Sequence, residues 1–130
     1  MSHQQGRVLG LGGVFFKTAD PAGLRAWYKQ WLGLPMDEYG ACLPVASLPA
    51  DAYSVVSPFS DSTDYFAPSQ QPFMINLVVD DVQACLARLA GSGAQILPET
   101  ENGEFGHFGW FIDPAGNKIE LWQPPVATGA

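Results

Sequence analysis

The strongest constraint on this chain is the run Gly106-His107-Phe108-Gly109-Trp110-Phe111-Ile112-Asp113-Pro114-Ala115-Gly116-Asn117-Lys118-Ile119-Glu120-Leu121-Trp122. Two apolar stretches flank Asp-Pro-Ala-Gly. Pro presets φ in a turn, and Gly tolerates a positive φ, so the run predicts a β-hairpin. With Asp113 to Gly116 as the loop, Ile112 pairs with Asn117, Phe111 with Lys118, Gly109 with Glu120 and His107 with Trp122. Side chains alternate across a strand. His107, Gly109, Phe111, Lys118, Glu120 and Trp122 are then expected on one face, and Phe108, Trp110, Ile112, Ile119 and Leu121 on the other. The second face reads as core. The first, an acid, a base and an imidazole among aromatics, is what a ligand-binding cup needs, and Gly109 leaves room opposite the carboxylate.

The rest of the chain is arranged in order around that hairpin. Residues 1 to 6 and 126 to 130 read as mobile tails. Val8 to Ala19 reads as a strand centred on Val14-Phe15-Phe16. Asp20 as N-cap and Pro21 at the first helical position open a helix. Its apolar stripe is Leu24, Trp27, Tyr28, Trp31 and Leu32, and Gly33 closes it. Short β-like pieces follow at Met36 to Val45, Ala52 to Phe59 and Asp64 to Ala67, punctuated by Pro44, Pro49, Pro58 and Pro68; Ser57 to Gln71 reads as a linker. Phe73 to Val79 is a second strand, and Asp80-Asp81 caps a second helix with the stripe Val82, Cys85, Leu86 and Leu89. Ala94 to Pro98 is a short strand, and Glu99 to Glu104 a polar loop into the hairpin. Asp20 to Gly33 recurs as Asp80 to Gly93 at identical spacing, which marks an internal repeat of two strand-helix-strands modules, about 8–70 and 72–124.

Composition excludes several classes. A chain of 130 residues is one ordinary domain with its own core. The net charge is −7 and the six basic residues are scattered, which argues against a nucleic-acid or anionic-membrane surface. No apolar run approaches the roughly 20 residues of a membrane span. The N-terminal residues carry no signal-peptide pattern. Cys42 and Cys85 have no metal-type spacing and fit free thiols in a reducing cytoplasm.

Trp110 to Trp122, an aromatic strand followed by Asp-Pro-Ala-Gly-Asn and Ile-Glu-Leu-Trp, resembles the C-terminal motif of the vicinal oxygen chelate superfamily. That superfamily includes glyoxalase I, the bleomycin-resistance proteins and the extradiol dioxygenases. Asp-Pro…Trp-Tyr…Leu-Gly-Leu in the first helix resembles the same superfamily. The resemblance covers roughly residues 8 to 124. It implies an α+β fold: two βαβββ modules forming a curled mixed sheet around a cup, in a chain of the kind that forms homodimers. It also implies four metal-ligand positions. The last falls on Glu120. The others fall on Gly13, on Phe73 or Met74, and near Tyr65 or Phe66, none of them a His or Glu. One carboxylate does not hold a divalent metal, so no cofactor is expected, and Glu120 would be the protein's ligand to any metal.

Glu120 admits three readings: a hydrogen-bonded structural carboxylate, a general acid or base, or a remnant metal ligand. Desolvation beside Phe111 and Trp122 would favour its protonated form. His107, one rank away on the same face, is its candidate catalytic partner; the bland alternative is a surface histidine. Lys17 shares a face with Gly13 and Phe15, and the resemblance implies an anchor for an anionic ligand there; the alternative is a strand-end lysine in solvent. Asn76 interrupts the apolar run of its strand and should point to the second cup wall or an interface, and Tyr39 is placed at the mouth. Phe15, Lys17, Tyr39, Asn76, Phe111, Lys118 and Trp122 are thus the candidate ligand contacts.

Two functions follow. One is a metal-free binding protein of the glyoxalase/bleomycin-resistance type that takes a small aromatic or planar molecule into an aromatic cup. The other is a glyoxalase-like lyase or isomerase, or a dioxygenase-related enzyme, with Glu120 as base or metal ligand and His107 as acid.

Overall fold

A computed structural model describes residues 6–125; both expected tails, with His3, lie outside the described residues apart from Gly6. The elements run α1 (Pro21–Leu32), β1 (Met36–Asp37), β2 (Gly40–Ala41), a 3-10 turn (Val45–Ser47), β3 (Ile75–Val78), α2 (Val82–Arg88), β4 (Gln95–Gly103), β5 (Gly106–Ile112) and β6 (Lys118–Gln123). Four strands form one mixed sheet in the order β3-β6-β5-β4, with β3 parallel to β6 and the other pairs antiparallel. The fold is α+β, as expected.

Both helices start where their capping residues dictate; α1 also stops at its expected glycine, whereas α2 ends at Arg88 with Leu89 as C-cap, short of Gly91. The Asp20 carboxylate accepts the Gly23 N–H, Pro21 takes the first position, and Gly33 ends α1 in the left-handed region at φ 69°. The Asp81 carboxylate accepts the Ala84 N–H at the start of α2. The two helices cover the same side of the sheet. Leu24, Trp27, Tyr28, Val82, Leu86 and Leu89 pack there against Phe111, Ile119 and Leu121. Burying each large apolar side chain of this set contributes about 1.5–3 kcal/mol relative to leaving it in water.

The hairpin forms, but one residue out of the expected register. Ile112 stands opposite Lys118, Phe111 opposite Ile119, Trp110 opposite Glu120, Gly109 opposite Leu121 and Phe108 opposite Trp122. The cause is the Asp113 carboxylate. Its Oδ1 accepts the N–H groups of Ala115 and Asn117, both at 2.9 Å, and the Asn117 amide donates to Oδ2 at 3.0 Å. Asn117 therefore belongs to the loop rather than to β6. A one-residue slip turns every side chain of one strand to the other face. The expected faces of β6 hold, while those of β5 are exchanged: Phe108, Trp110 and Ile112 share the side of Glu120, and His107, Gly109 and Phe111 face the helices' side.

Three further expectations are corrected. Val8 to Ala19 forms no ladder, and Phe15 is 95% exposed. The pieces expected at Met36 to Val45, Ala52 to Phe59 and Asp64 to Ala67 are reduced to the two-residue pair β1–β2 and irregular chain. Prolines at 44, 49, 58 and 68 remove backbone donors from the segments that would have to pair there. In the second half, residues 99 to 103 of the expected polar loop instead continue β4, which runs on through a register shift between Ile96 and Thr100.

Tyr28 links the two halves. Its hydroxyl donates to Asp113 Oδ2 at 2.7 Å, both groups buried. Burial, the Asp113 charge and that bond all push the phenol well above its ordinary value. A folded-state value above the unfolded one makes this contribution complete below pH 10 and loses it progressively above, because only the unfolded chain ionises there. Tyr28→Phe is expected to cost about 1.5–3 kcal/mol at neutral pH and to make the alkaline fall in stability shallower, read by urea unfolding at pH 7 to 11. Gly109 is glycine because of α2, not because of the carboxylate: a Cβ there would lie 2.9 Å from Val82 Cγ1 and 3.0 Å from Leu86 Cδ1. Gly109→Ala is expected to destabilise by about 1–3 kcal/mol through overpacking, seen as a lower urea midpoint at unchanged slope.

Candidate functional site

The side of the sheet away from the helices carries the polar groups. Glu120 is 9% exposed and its carboxylate takes three donors. Asn76 Nδ2 donates to Oε1 at 2.6 Å. Trp110 Nε1 and the Tyr65 hydroxyl both donate to Oε2 at 2.9 Å. Asn76 and Trp110 are placed by the ladder itself, since each stands directly beside Glu120 on its neighbouring strand. Tyr65 comes from the irregular chain between β2 and β3, which crosses this face as a strap.

Lys118, two residues before Glu120, is satisfied separately. Its ammonium donates to the Tyr65 and Ala67 carbonyls at 2.6 and 3.1 Å. It also lies 5.2 Å from the Tyr65 ring centre and 5.8 Å from that of Trp110. Burial pushes this ammonium below its usual range, and the charges of Glu99, Glu120 and Asp64 act against that. Lys118 thereby holds the strap's backbone over the carboxylate.

Beside these groups runs an aromatic ladder. Phe108 stacks on Trp122 at 6.2 Å with the planes 2° apart, and on Trp110 at 6.4 Å and 15°. Trp122 Nε1 donates to the Phe105 carbonyl at 2.7 Å, which fixes the indole plane. The strap adds Tyr53, 5.4 Å from Trp122, and Phe59, stacked on Tyr65 at 5.6 Å.

Of the residues singled out in the sequence, the structure therefore brings together Asn76, Lys118, Glu120 and Trp122. It separates the rest. His107 faces the opposite side of β5, is exposed, and bonds Asn102; with Asp81, Val82, Gln83, Phe108 and Gln123 it lines a cleft of about 400 Å³. Phe111 is fully buried in the core, 5.9 Å from Trp27. Phe15 and Tyr39 are exposed, with Tyr39 on the β1–β2 turn. Lys17 lies at a cleft of about 790 Å³ between the start of α1 and the hairpin tip, lined also by Trp27, Gln71 and Pro114. Sequence reasoning missed Trp110 and Phe108 as site residues because it placed Asn117 in the strand. It reached Tyr65 as a position but not as a donor.

The fold is similar to that of a glyoxalase-related enzyme from Fulvimarina pelagi, with a TM-score of 0.52 and 18% identity over 91% of this chain and 94% of that one. TnmS3, an antibiotic binding protein from Streptomyces sp. CB03234, is 26% identical over 83% of this chain and 89% of that one, with a TM-score of 0.47. Residues 13–122 match the glyoxalase-like domain family, and the chain belongs to that family, within the superfamily its hairpin resembles. Curated relatives from Mycobacterium bovis and Mycobacterium tuberculosis, both named "Putative glyoxylase CFP32", are 26% identical over 125 residues. The match takes in 90% of this chain and 46% of theirs, so the chain spans about half the length of these relatives.

The residues present do not fit the metal site that the superfamily implies. Among the described residues no three His, Cys, Asp or Glu side chains gather where they could hold an ion. The carboxylate that would coordinate is instead surrounded by N–H and O–H donors, the opposite polarity to a ligand shell. Phe73 and Met74 are not the neighbours of Glu120; Asn76 is, and it donates.

Replacing the carboxylate separates charge from hydrogen bonding. In Glu120→Gln the exposed Asn76 amide is free to turn its oxygen to the new amide, so all three contacts survive as neutral ones. In Glu120→Leu the buried Trp110 N–H has no acceptor. The expected costs are about 0.5–1.5 kcal/mol for Glu120→Gln and about 1–3 kcal/mol for Glu120→Leu, measured by urea unfolding with Trp fluorescence.

Proposed function

We propose that the protein is a metal-independent binder of a small planar aromatic molecule, held on the Glu120 side of the sheet. The observation that carries this reading is the pairing of a donor-saturated carboxylate with the Trp110–Phe108–Trp122 ladder. A flat apolar ligand stacks on such a ladder, and a buried polar group at its edge fixes orientation. The acidic net charge favours a neutral or cationic ligand, and the Lys118 ammonium is already engaged by two carbonyls.

The enzyme reading has less support. A general base at Glu120 needs an acid partner, and His107, the candidate, lies across the sheet from it. The name of the mycobacterial relatives points to glyoxalase chemistry, but the side chains around Glu120 are hydrogen-bond donors rather than metal ligands.

A cytoplasmic homodimer is part of the proposal. Val8, Leu9, Phe15, Val55 and Val56 are all more than half exposed, and so much exposed apolar surface is typical of a contact site. Among the described residues no helix is long and apolar enough to cross a membrane.

Calorimetric titration with a panel of planar aromatic compounds tests the reading. At least one is expected to bind with an affinity that excess chelator or added Zn²⁺ leaves unchanged, and Trp122→Ala is expected to weaken it at least about tenfold. Turnover in a glyoxalase assay that depends on added metal and disappears in Glu120→Gln would overturn it.

A further inference from the structure

The three donors on Glu120 are not equivalent. Asn76 and Trp110 sit on strands of the sheet and are fixed by its ladder. Tyr65 belongs to the strap, is 37% exposed, and reaches the carboxylate only through its side chain. Its backbone is held by a different partner, the Lys118 ammonium at 2.6 Å from its carbonyl. The main chain is thus held by a hydrogen bond from Lys118, while the hydroxyl's bond goes to Glu120 and Lys118 meets the ring only at its face. Rotation about χ1 would take the phenol off Glu120 while the Lys118 bond held the strap; the ring would leave Phe59 and the Lys118 ammonium, neither of which belongs to the core on the helix side.

The phenol occupies the place against Glu120 and Trp110 that the proposed function gives to the ligand. Its ring meets Trp110 edge-on at 6.4 Å and 88°, its outer face stacks on Phe59, and its hydroxyl supplies the bond to Oε2. We propose that Tyr65 is an internal surrogate for the ligand, and that the ligand which displaces it is a planar aromatic carrying its own hydroxyl or amino donor. The proposal rests on the binding function inferred above and names the chemical class of its ligand.

The donor requirement follows from the carboxylate. An incoming ring without an O–H or N–H would remove the Tyr65 bond from a buried charged oxygen and return nothing. A site built to be hydrogen-bonded rejects the analogue that lacks the bond far more strongly than a hydrophobic pocket rejects a change of size. A phenol or arylamine restores the bond and adds stacking.

Calorimetry with 2-naphthol and its methyl ether, 2-methoxynaphthalene, on the full chain and on Tyr65→Phe and Tyr65→Ala decides the matter. Wild-type protein is expected to prefer 2-naphthol by at least about tenfold, and Tyr65→Phe to bind it about tenfold more tightly than wild type, because the competing bond to the carboxylate is gone. Tyr65→Ala, which also vacates the ring's space, should bind at least as tightly as Tyr65→Phe. Unchanged or weaker 2-naphthol binding in Tyr65→Phe overturns the surrogate role while leaving the binding function standing. Equal affinity for the two naphthalenes overturns the donor requirement. Failure of both compounds to bind any of the three proteins overturns this proposal, and the panel titration above then decides the binding function separately.

Discussion

The Asp113 carboxylate is the constraint on which the rest depends. One oxygen gathers two backbone N–H groups of its own turn; the other takes the Tyr28 hydroxyl from α1 and the Asn117 amide. Ser69 adds a bond from the strap to the Gly116 carbonyl at 2.6 Å. A single buried acid therefore sets the length of the loop, ties the first helix to the last hairpin, and anchors the corner beneath the strap. Because loop length sets register, it also decides that Trp110 and not Gly109 stands across from Glu120. If Asn117 joined the strand, the indole donor and the Phe108 step of the ladder would turn into the core, and Phe111 would turn out of it.

What the sequence revealed and what it hid divide along the same line. Both helix starts and the end of α1 were legible because their signals act locally: Asp20 and Asp81 bond N–H groups three positions on, Pro21 presets φ, and Gly33 takes the left-handed region with its N–H on the Tyr28 carbonyl. The family was legible because its motif is contiguous. The site was only half legible. Lys118, Glu120 and Trp122 alternate on one strand, and alternation survives any register, so they were placed together correctly. Asn76 was marked by a polar side chain inside an apolar run. His107 and Phe111 were misplaced by one residue of turn chemistry: Asp-Pro-Ala-Gly looks complete as a four-residue loop, and nothing local shows that the Asp113 side chain also captures the N–H of Asn117. Tyr65 was beyond local rules altogether, since its partner lies 55 positions away and its segment has no periodicity.

Two opposite charges two residues apart on one strand face are placed where they could pair. Here each is satisfied by neutral groups instead. Glu120 is met by an amide, an indole and a phenol, Lys118 by two carbonyls and two aromatic faces. Burying a charge is costly unless its hydrogen-bonding capacity is filled, and neutral partners fill it while leaving the sign of each group exposed to its surroundings. A direct ion pair would have given an acceptor position of Glu120 to Lys118. Separation leaves the carboxylate oxygens to Asn76, Trp110 and Tyr65.

The two halves of the chain contribute unequally to that site. The second half supplies the rigid part: three strands whose ladder positions Asn76, Trp110 and Glu120 to within a hydrogen bond. The first half supplies the strap, in which prolines and short pairings leave Tyr53, Phe59 and Tyr65 attached through side-chain contacts rather than a ladder. Backbone held by a sheet has few alternatives, whereas aromatic side chains on a strap repack at the cost of rotamer changes and a few stacking contacts. For the planar aromatic ligand proposed above, selectivity would then reside in the fixed carboxylate and its two framework donors, and accommodation of different ring outlines in the strap. Lys118 joins the two, because the ammonium that limits how far the strap can move is carried by the same strand as the carboxylate it covers.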